Sequence, residues 1–410
     1  MSIKAMIVQG LFGRLDYNLI LESQDISIIT GPNGYGKTML LRIIDSILKN
    51  DYKNLSSIKF KSIYLSFTGG LSVSVERKNA SLMVTLSDLK TDRVTVEHIN
   101  EGISGNNEQD VYFMDDKGKK VELRLRSINE KNNPTGIKQE VFLSYFGDIT
   151  STFIKAQRLQ DLESKEIKIS QLAEDLKKRM ARISLNASIT SQRLDSSFPT
   201  RLFDKIENSV GGGRHANVSE RLRGLQRIKG DLLKYELIES DDGLSSNYFL
   251  SSEISSAYGE VLNLYVEDAL KKLEPYSDLY KKIDLFVNII SDSVLSFKKI
   301  KVNKERGFYF VEEDNENEVI PLDSLSSGEQ NQVIIYYDMI FKSKENTVIL
   351  IDEPEISLHV AWQKNFLGAV SEIQKINKPI NILIATHSPT IINTRWDLTH
   401  DLFDMNGAKI

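Results

Sequence analysis

The spacing of hydrophobic positions changes character twice along the chain and divides it into three parts. In the first part, the apolar-rich run at residues 26–29 predicts a buried strand, and the apolar spacing at residues 39–48 predicts a helix. Short alternating runs between residues 58 and 125, separated by glycine-containing turns, predict an antiparallel β-subdomain. One more short strand is expected at residues 153–158.

Helical spacing begins after that strand. Its apolar positions recur at steps of three and four residues, which places them on one face of a helix: Ile169, Leu172, Leu176, Met180 and Ile183. Three glycines at 211–213 interrupt the pattern, and helical stretches are expected at 218–238 and at 253–297. We therefore predict an α/β head formed by residues 1–158 and 299–410, with a helical or coiled-coil insertion, here called the arm, at residues 159–298.

A glycine-rich loop lies between the strand at 26–29 and the helix that follows it. Its residues fit the phosphate-loop pattern G-x-x-x-x-G-K-[ST] at every fixed position: Gly31, Pro32, Asn33, Gly34, Tyr35, Gly36, Lys37 and Thr38. Glycines let backbone N–H groups surround phosphate oxygens, and the helix N-terminus favours negative charge. The loop, extended by Met39, therefore predicts a nucleotide site, with Lys37 at the β- and γ-phosphates and Thr38 as a ligand of Mg²⁺. The alternative is a glycine-rich turn that only connects a strand to a helix.

Composition limits the class of protein. The 410 residues are 40% hydrophobic and 27% charged, which is ordinary for a globular chain with room for two domains. No secretory signal or membrane span is expected, and a cytoplasmic protein follows from that expectation. The absence of cysteine excludes disulfides, a cysteine nucleophile and thiolate zinc sites, but leaves metal binding through oxygen ligands open.

Charge is distributed unevenly. Residues 155–234 contain 17 Lys and Arg against 10 Asp and Glu, a balance of +7, which leaves −12 for the rest of a chain whose net charge is −5. A basic arm on an acidic body indicates a phosphate-bearing partner, such as nucleic acid, or an acidic protein partner. The alternative is a solvated helix surface that binds nothing, since acids are interspersed among the cations and no aromatic side chains alternate with them.

Two aromatic residues lie before the phosphate loop. Phe12 and Tyr17 each have a ring that could stack on an adenine, but each is equally compatible with a place in the core. The pattern alone does not separate the two interpretations.

Residues 325–330, Leu-Ser-Ser-Gly-Glu-Gln, resemble the signature motif of the ABC-type ATPases, Leu-Ser-Gly-Gly-Gln. Ser326 and Gly328 match the family pattern, whereas Ser327 and Glu329 depart from it. A helix is expected to follow, so this segment offers a second anion site at a helix N-terminus. The resemblance implies that all four residues contact ATP held by the phosphate loop of a second subunit, in a homo-oligomer built from head-to-tail dimers.

Further motifs carry the same resemblance. An apolar run at 348–351 ends in Asp352 and Glu353, and another apolar strand ends at His387. The resemblance implies that Asp352 holds Mg²⁺ through water, that Glu353 is the general base and that His387 contacts the γ-phosphate, while Lys37 completes the catalytic set. Gln157 matches the glutamine that senses Mg²⁺ and the γ-phosphate.

Residues 352–363 and 385–389 look most like the OLD-like group of these ATPases, which includes ATPase subunits of the bacterial anti-phage systems PARIS and Septu. That resemblance implies a sensor or scaffold that responds to a phage-derived trigger and controls a nuclease-type effector, Toprim-like or HNH. No Toprim-type carboxylate cluster follows His387, so the effector is expected on a separate chain. Two alternatives stay open: a RecF-like DNA-repair ATPase that clamps DNA with its arm, and an oligomeric scaffold that binds ATP and barely hydrolyses it.

Overall fold

The computed structural model describes residues 2–21, 26–78, 81–100, 109–114, 120–125, 136–155, 168–208, 218–239, 256–293, 295, 297–356, 360–379 and 381–407. The chain divides into two compact units. The first unit contains residues 1–158 and 335–410, and the second contains residues 159–334.

Sixteen strands are found in the described part of the chain. They are β1 (Ile3–Leu11), β2 (Leu15–Ile20), β3 (Ile26–Thr30), β4 (Ser62–Phe67), β5 (Leu71–Lys78), β6 (Ser81–Asp88), β7 (Arg93–Asn100), β8 (Gln109–Met114), β9 (Lys120–Leu125), β10 (Thr150–Ile154), β11 (Lys298–Asn303), β12 (Gly307–Glu312), β13 (Val319–Ile320), β14 (Thr347–Asp352), β15 (Asn381–Ala385) and β16 (Thr399–Asp401).

The α-helices of the described residues are α1 (Lys37–Leu48), α2 (Tyr52–Ser56), α3 (Gln139–Phe146), α4 (Lys168–Asn208), α5 (Val218–Leu233), α6 (Ser256–Leu273), α7 (Ser277–Ser293), α8 (Ser327–Phe341), α9 (Val360–Asn377), α10 (Pro389–Ile392) and α11 (Leu402–Gly407). None of them is long and apolar enough to cross a membrane.

A five-stranded parallel sheet forms the centre of the first unit, in the order β10-β14-β15-β3-β16. Every residue of β3, β14 and β15 is buried, because a parallel sheet is covered on both faces. This explains why their sequences are apolar runs rather than alternating patterns. The carboxyl ends of these three strands lie at one edge of the sheet, which is where open α/β folds bind ligands.

The other sheet of the first unit has eight strands in the order β2-β1-β4-β5-β6-β7-β8-β9, and each recorded pair is antiparallel. Strand β5 alternates buried and partly exposed residues, as expected for a sheet with one face on the core. The predicted antiparallel β-subdomain is confirmed, and the sheet also includes β1 and β2 from the N-terminal segment.

Long helices dominate the second unit. Helix α4 alone is 41 residues long, and α5, α6 and α7 follow it, with a single 3₁₀ turn at Glu274–Tyr276 between the last two. The hairpin of β11 and β12 lies against α4: a Cβ atom at Gly307 would come within 2.0 Å of the Ala173 carbonyl oxygen, so this turn requires glycine. The predicted fold class, α/β with an inserted helical arm, is confirmed.

Helix α5 ends earlier than its apolar spacing predicts. We expected helix to residue 238, but α5 ends at Leu233 and Glu236 adopts a left-handed conformation with φ of 52°. The Leu237 N–H bonds the Leu232 carbonyl and the Glu236 N–H bonds the Leu233 carbonyl, a pattern that closes helix ends.

Candidate nucleotide site

The phosphate loop connects β3 to α1 and depends on glycine. Gly31, Gly34 and Gly36 have φ values of 140°, 86° and 84°, in the region that only glycine adopts without strain. Gly36 is also packed closely, since a Cβ atom there would lie 2.8 Å from Leu11 Cδ2. No side chain caps the N-terminus of α1, so its first N–H groups have no side-chain acceptor at the cap.

Lys37 is the first residue of α1 and is buried. Its ammonium folds back over the loop, where Nζ donates to the Gly31 carbonyl at 2.8 Å and to the Pro32 carbonyl at 3.4 Å. An ammonium group has three donors and no acceptor, so this position over the loop suits a group that binds phosphate oxygens.

Thr38 and Asp352 are 314 residues apart in sequence but are in direct contact. The Thr38 hydroxyl donates to Asp352 Oδ1 at 2.8 Å, because α1 begins beside the carboxyl end of β14. A hydroxyl and a carboxylate are hard oxygen donors, which fits Mg²⁺, an ion that keeps several waters and takes few protein ligands. The structure therefore brings together two of the three predicted metal ligands. The third, Gln157, lies outside the described residues.

Glu353 follows β14 with an unusual backbone. Its φ is 44°, a strained value for a residue with a side chain, and its N–H donates to the Ala385 carbonyl at 2.8 Å. This bond joins the ends of β14 and β15. The Glu353 carboxylate lies 3.9 Å from His387 Nδ1, so the predicted base and the predicted γ-phosphate contact are neighbours.

Glu355 was missed as a site residue from sequence. Glu355 is buried, and its Oε1 lies 3.0 Å from His387 Nδ1. The same oxygen accepts hydrogen bonds from the Thr386 hydroxyl and the His387 N–H. A second carboxylate two residues after Glu353 was the signal available, but its contacts are made with Thr386 and His387, 31 and 32 residues away and just after β15.

The signature-like residues lie in the second unit, at the start of α8. Ser326 is the N-cap, and Ser327 and Gly328 begin the helix. The Glu329 N–H donates to Ser326 Oγ at 3.3 Å, while Glu329 Oε2 accepts from the Ser326 N–H at 2.8 Å. This reciprocal arrangement is a capping box.

Lys298 completes that cap, with its Nζ 2.7 Å from Glu329 Oε1. Burial alone raises the pKa of the Glu329 carboxyl, but the bonds from Lys298 and Ser326 outweigh burial and hold that pKa below its usual value. The Glu329 side chain is one of the two departures from the family motif. Within its own unit it caps α8 and pairs with Lys298. Its predicted contact with nucleotide stays a prediction.

The two aromatic candidates differ in their surroundings. Tyr17 is buried, its hydroxyl donates to the Tyr35 carbonyl at 2.5 Å, and burial raises its pKa to about 12. It therefore belongs to the core below the loop. Phe12 is 39% exposed, and a Cβ atom at Gly36 would lie 3.3 Å from its ring, so the Phe12 ring is next to the phosphate loop. Of the two rings, only that of Phe12 is exposed enough to stack on a base.

With this fold and loop, the protein is an ATPase-domain protein: residues 1–392 match the AAA ATPase domain family, and the chain belongs to it. It is also similar to Endonuclease GajA of Bacillus cereus (strain HuB5-5), with 22% identity. That alignment covers 90% of this chain and 52% of the relative, so the chain spans about half the length of that curated protein.

Solved structures with similar folds include a SMC head bound to the C-winged helix domain of ScpA, with 10% identity, a TM-score of 0.41, and coverage of 96% of this chain and 91% of that one. The SMC head domain from Thermotoga maritima gives 12% identity, a TM-score of 0.37, and coverage of 98% and 94%. The recombination mediator RecF bound to ATP gives 12% identity, a TM-score of 0.30, and coverage of 95% and 94%. The fold assignment rests on the strand order and helices described above.

Proposed function

We propose that the protein is an ABC-type ATPase that binds ATP with Mg²⁺ at the phosphate loop, residues 31–39, and hydrolyses it to ADP and phosphate. The observation that carries this proposal is the contact between Thr38 and Asp352, with Glu353 next along the chain. An oxygen pair suited to Mg²⁺ is thus followed directly in the sequence by a carboxylate suited to proton transfer, and this supports the proposal.

Each residue has a defined task in this reaction. Lys37 binds the β- and γ-phosphates, and Thr38 and Asp352 hold the metal ion, which neutralises charge on the same oxygens when bound. Glu353 accepts the proton of the attacking water as the oxygen of that water bonds to the γ-phosphorus and the bond to the β-γ bridging oxygen breaks. His387 contacts the γ-phosphate. Gln157 and the signature residues of a second subunit complete the site.

Two substitutions test this assignment. Lys37→Ala removes the phosphate contact and is expected to abolish binding of a fluorescent ATP analogue. Glu353→Gln keeps the phosphate and metal contacts but lacks the base, so it is expected to bind ATP and retain it unhydrolysed. Hydrolysis by Glu353→Gln at the wild-type rate would show that another group is the base.

We further propose that the ATPase is the sensor or scaffold of a bacterial defence complex, and that ATP binding assembles its interface with a nuclease-type effector. The similarity to a relative named as an endonuclease supports a nuclease context, and the OLD-like motifs support PARIS-like or Septu-like assemblies. Co-expression with the products of neighbouring genes tests this. Plasmid cleavage or effector co-purification should be present in the wild type and lost in Lys37→Ala, and an effector that acts equally with Lys37→Ala would contradict the proposal.

A DNA-clamping ATPase is the second candidate, and the net positive charge of residues 155–234 favours it. The ion pairs of the arm weigh against it. Lys177 and Lys178 lie 3.7 and 4.0 Å from the Glu174 carboxylate, and Arg179 lies 2.7 Å from Asp175. Since two carboxylates on the same helix are paired with three of these cations, part of this positive charge is balanced locally, and we favour a protein partner for the arm.

A further inference from the structure

We infer that Glu355 is a positioning residue for His387: it holds the imidazole by Nδ1 and leaves Nε2 as the nitrogen that faces the γ-phosphate. This inference rests on the proposed ATPase function and adds one residue to it. Its basis is the convergence of three polar groups from two consecutive residues on a single buried oxygen, Glu355 Oε1.

The geometry around Glu355 Oε1 is specific. The Thr386 hydroxyl donates to it at 2.7 Å and the His387 N–H at 2.9 Å, while His387 Nδ1 lies 3.0 Å away. The Glu355 side chain is only 6% exposed, whereas that of His387 is 53% exposed. A buried carboxylate oxygen that accepts two hydrogen bonds thus lies beside one edge of a ring whose side chain is about half exposed.

The chemistry of the two groups assigns the proton. An ionised carboxylate only accepts hydrogen bonds, so the nitrogen beside it must carry hydrogen. Nδ1 is therefore the protonated nitrogen of the neutral ring, and Nε2 is left for a ligand. A carboxylate partner that sets the tautomer and orientation of a histidine is a recurrent device at metal and catalytic sites.

Glu353 does not position the His387 ring in the way that Glu355 does. Its carboxylate is 3.9 Å from His387 Nδ1, beyond hydrogen-bond distance, and it is already assigned to the attacking water. The two glutamates that follow β14 therefore have separate roles, one toward water and one toward His387. The second oxygen of Glu355, Oε2, is buried and has no hydrogen-bond partner among the described residues, so all of the recorded bonding of this carboxylate passes through Oε1.

Nuclear magnetic resonance on protein labelled with ¹⁵N-histidine tests the inference without any hydrolysis. His387→Gln identifies the signal, since the chain has five histidines. In the neutral ring, hydrogen on Nδ1 supports the inference, and hydrogen on Nε2 overturns it. This measurement on the wild type does not depend on whether any Glu355 variant folds, and it remains valid if Glu353→Gln shows that the base is elsewhere.

Kinetics provide the second test. Glu355→Gln is expected to lower kcat by about ten- to a hundredfold, with KM for ATP changed by less than about threefold, because the phosphate loop is intact. In a His387→Gln background the same change should have almost no further effect, since Glu355 acts through His387. Equal losses in both backgrounds would show a merely structural role and overturn the inference.

A matched control is available on α9. Glu372 is an exposed glutamate whose recorded partner is Lys375, so Glu372→Gln is expected to leave kcat and the His387 signal unchanged.

Discussion

At the scale of single residues, the candidate site is a place where the backbone departs from ordinary conformations. Phe12 and Glu353 have positive φ values of 55° and 44°, and the phosphate loop adds three glycines with positive φ. At the two residues that carry side chains, Phe12 and Glu353, such strain costs on the order of 1–3 kcal/mol each and persists only where the surrounding structure holds it. At Glu353 the holding contact is the bond from its N–H to the Ala385 carbonyl.

Substitutions at two loop glycines distinguish the cost of backbone strain from the cost of a steric clash. Gly34 and Gly36 have nearly equal φ values, but a Cβ atom at Gly34 would meet nothing within 4 Å, while one at Gly36 would lie 2.8 Å from Leu11 Cδ2. Gly34→Ala should therefore destabilise the protein by about 1 kcal/mol through strain alone, and Gly36→Ala should cost about 1–3 kcal/mol more. Urea unfolding of both variants checks this difference. Equal losses would mean that the packing of Leu11 against the loop adjusts without cost.

The parts of the site differ in how far sequence could predict them. The residues of the phosphate loop follow one another in the chain, so a fixed spacing identifies them, and the buried runs that end in Asp352 and near His387 mark strand ends. The contact between Glu355 and His387 arises because β14 and β15 are neighbours in the sheet. No local pattern carries that information, and the role of Glu355 could not be predicted from spacing.

At the scale of elements, apolar spacing was a good guide to the existence of helices and a weaker guide to their ends. Helix α1 and strands β14 and β15 lie where the apolar runs predict them. The end of α5 depends on the left-handed conformation of Glu236, which side-chain spacing does not encode. The capping box of α8 joins a serine to a glutamate three residues later, and its Lys298 partner comes from a distant strand, β11.

The cap of α8 predicts a pH-dependent stability. Lys298→Met leaves the buried Glu329 carboxylate without its cation, which should cost about 2–3 kcal/mol at pH 7. Because the folded pKa of Glu329 is lowered, its contribution is present above the unfolded pKa, about 4.3, and is lost as the pH falls through the folded pKa. The difference between wild type and Lys298→Met in urea unfolding should therefore shrink in acid.

The neighbouring Lys299→Met is the matched control for this prediction. Lys299 pairs with Glu316 at an exposed position, and exposed pairs contribute little. If Lys299→Met destabilised the protein as much as Lys298→Met at pH 7, the buried pair would have no special importance.

The arm allows a test of its partner class. If the arm binds nucleic acid through phosphates, log K should fall with log salt with a slope near −0.9 per neutralised phosphate of duplex DNA. Charge reversal to Glu at Lys177, Lys178, Arg179 and Arg182 should then flatten that slope. If it binds a protein effector, as we favour, charge reversal should abolish effector capture and leave any residual DNA binding unchanged.

Exposed apolar side chains on α4 allow a second experiment on the partner of the arm. Leu185, Ile189 and Phe203 are 62%, 59% and 64% exposed, and their spacing places them on one face of the helix. Their replacement by serine should weaken capture of a protein effector but not binding to DNA. Submicromolar binding of purified protein to duplex DNA at physiological salt, lost on charge reversal, would instead support the DNA-clamping candidate.

At the scale of the whole molecule, the two sets of predicted ATP contacts belong to different compact units. The phosphate loop and the carboxylates after β14 lie in the first unit, and the signature-like residues lie in the second. Both sets begin at helix N-termini, where N–H groups and the helix dipole favour phosphate. In the head-to-tail arrangement that we propose, each ATP is bound by the loop of one chain and the signature of another, so hydrolysis requires two chains.

Mixing two inactive chains tests that requirement. Lys37→Ala lacks a working loop but keeps its signature, and Gly328→Asp places a carboxylate at the signature but keeps its loop. In a random equal mixture, half of the dimers contain both chains, and each of these has one intact composite site. About a quarter of wild-type ATPase activity should therefore return.

The matched control mixes Lys37→Ala with Glu353→Gln, two changes that act in the same site of one chain, so no composite site is intact and no activity should return. Co-assembled Lys37→Ala and Gly328→Asp chains that stay as inactive as either alone would contradict the head-to-tail arrangement.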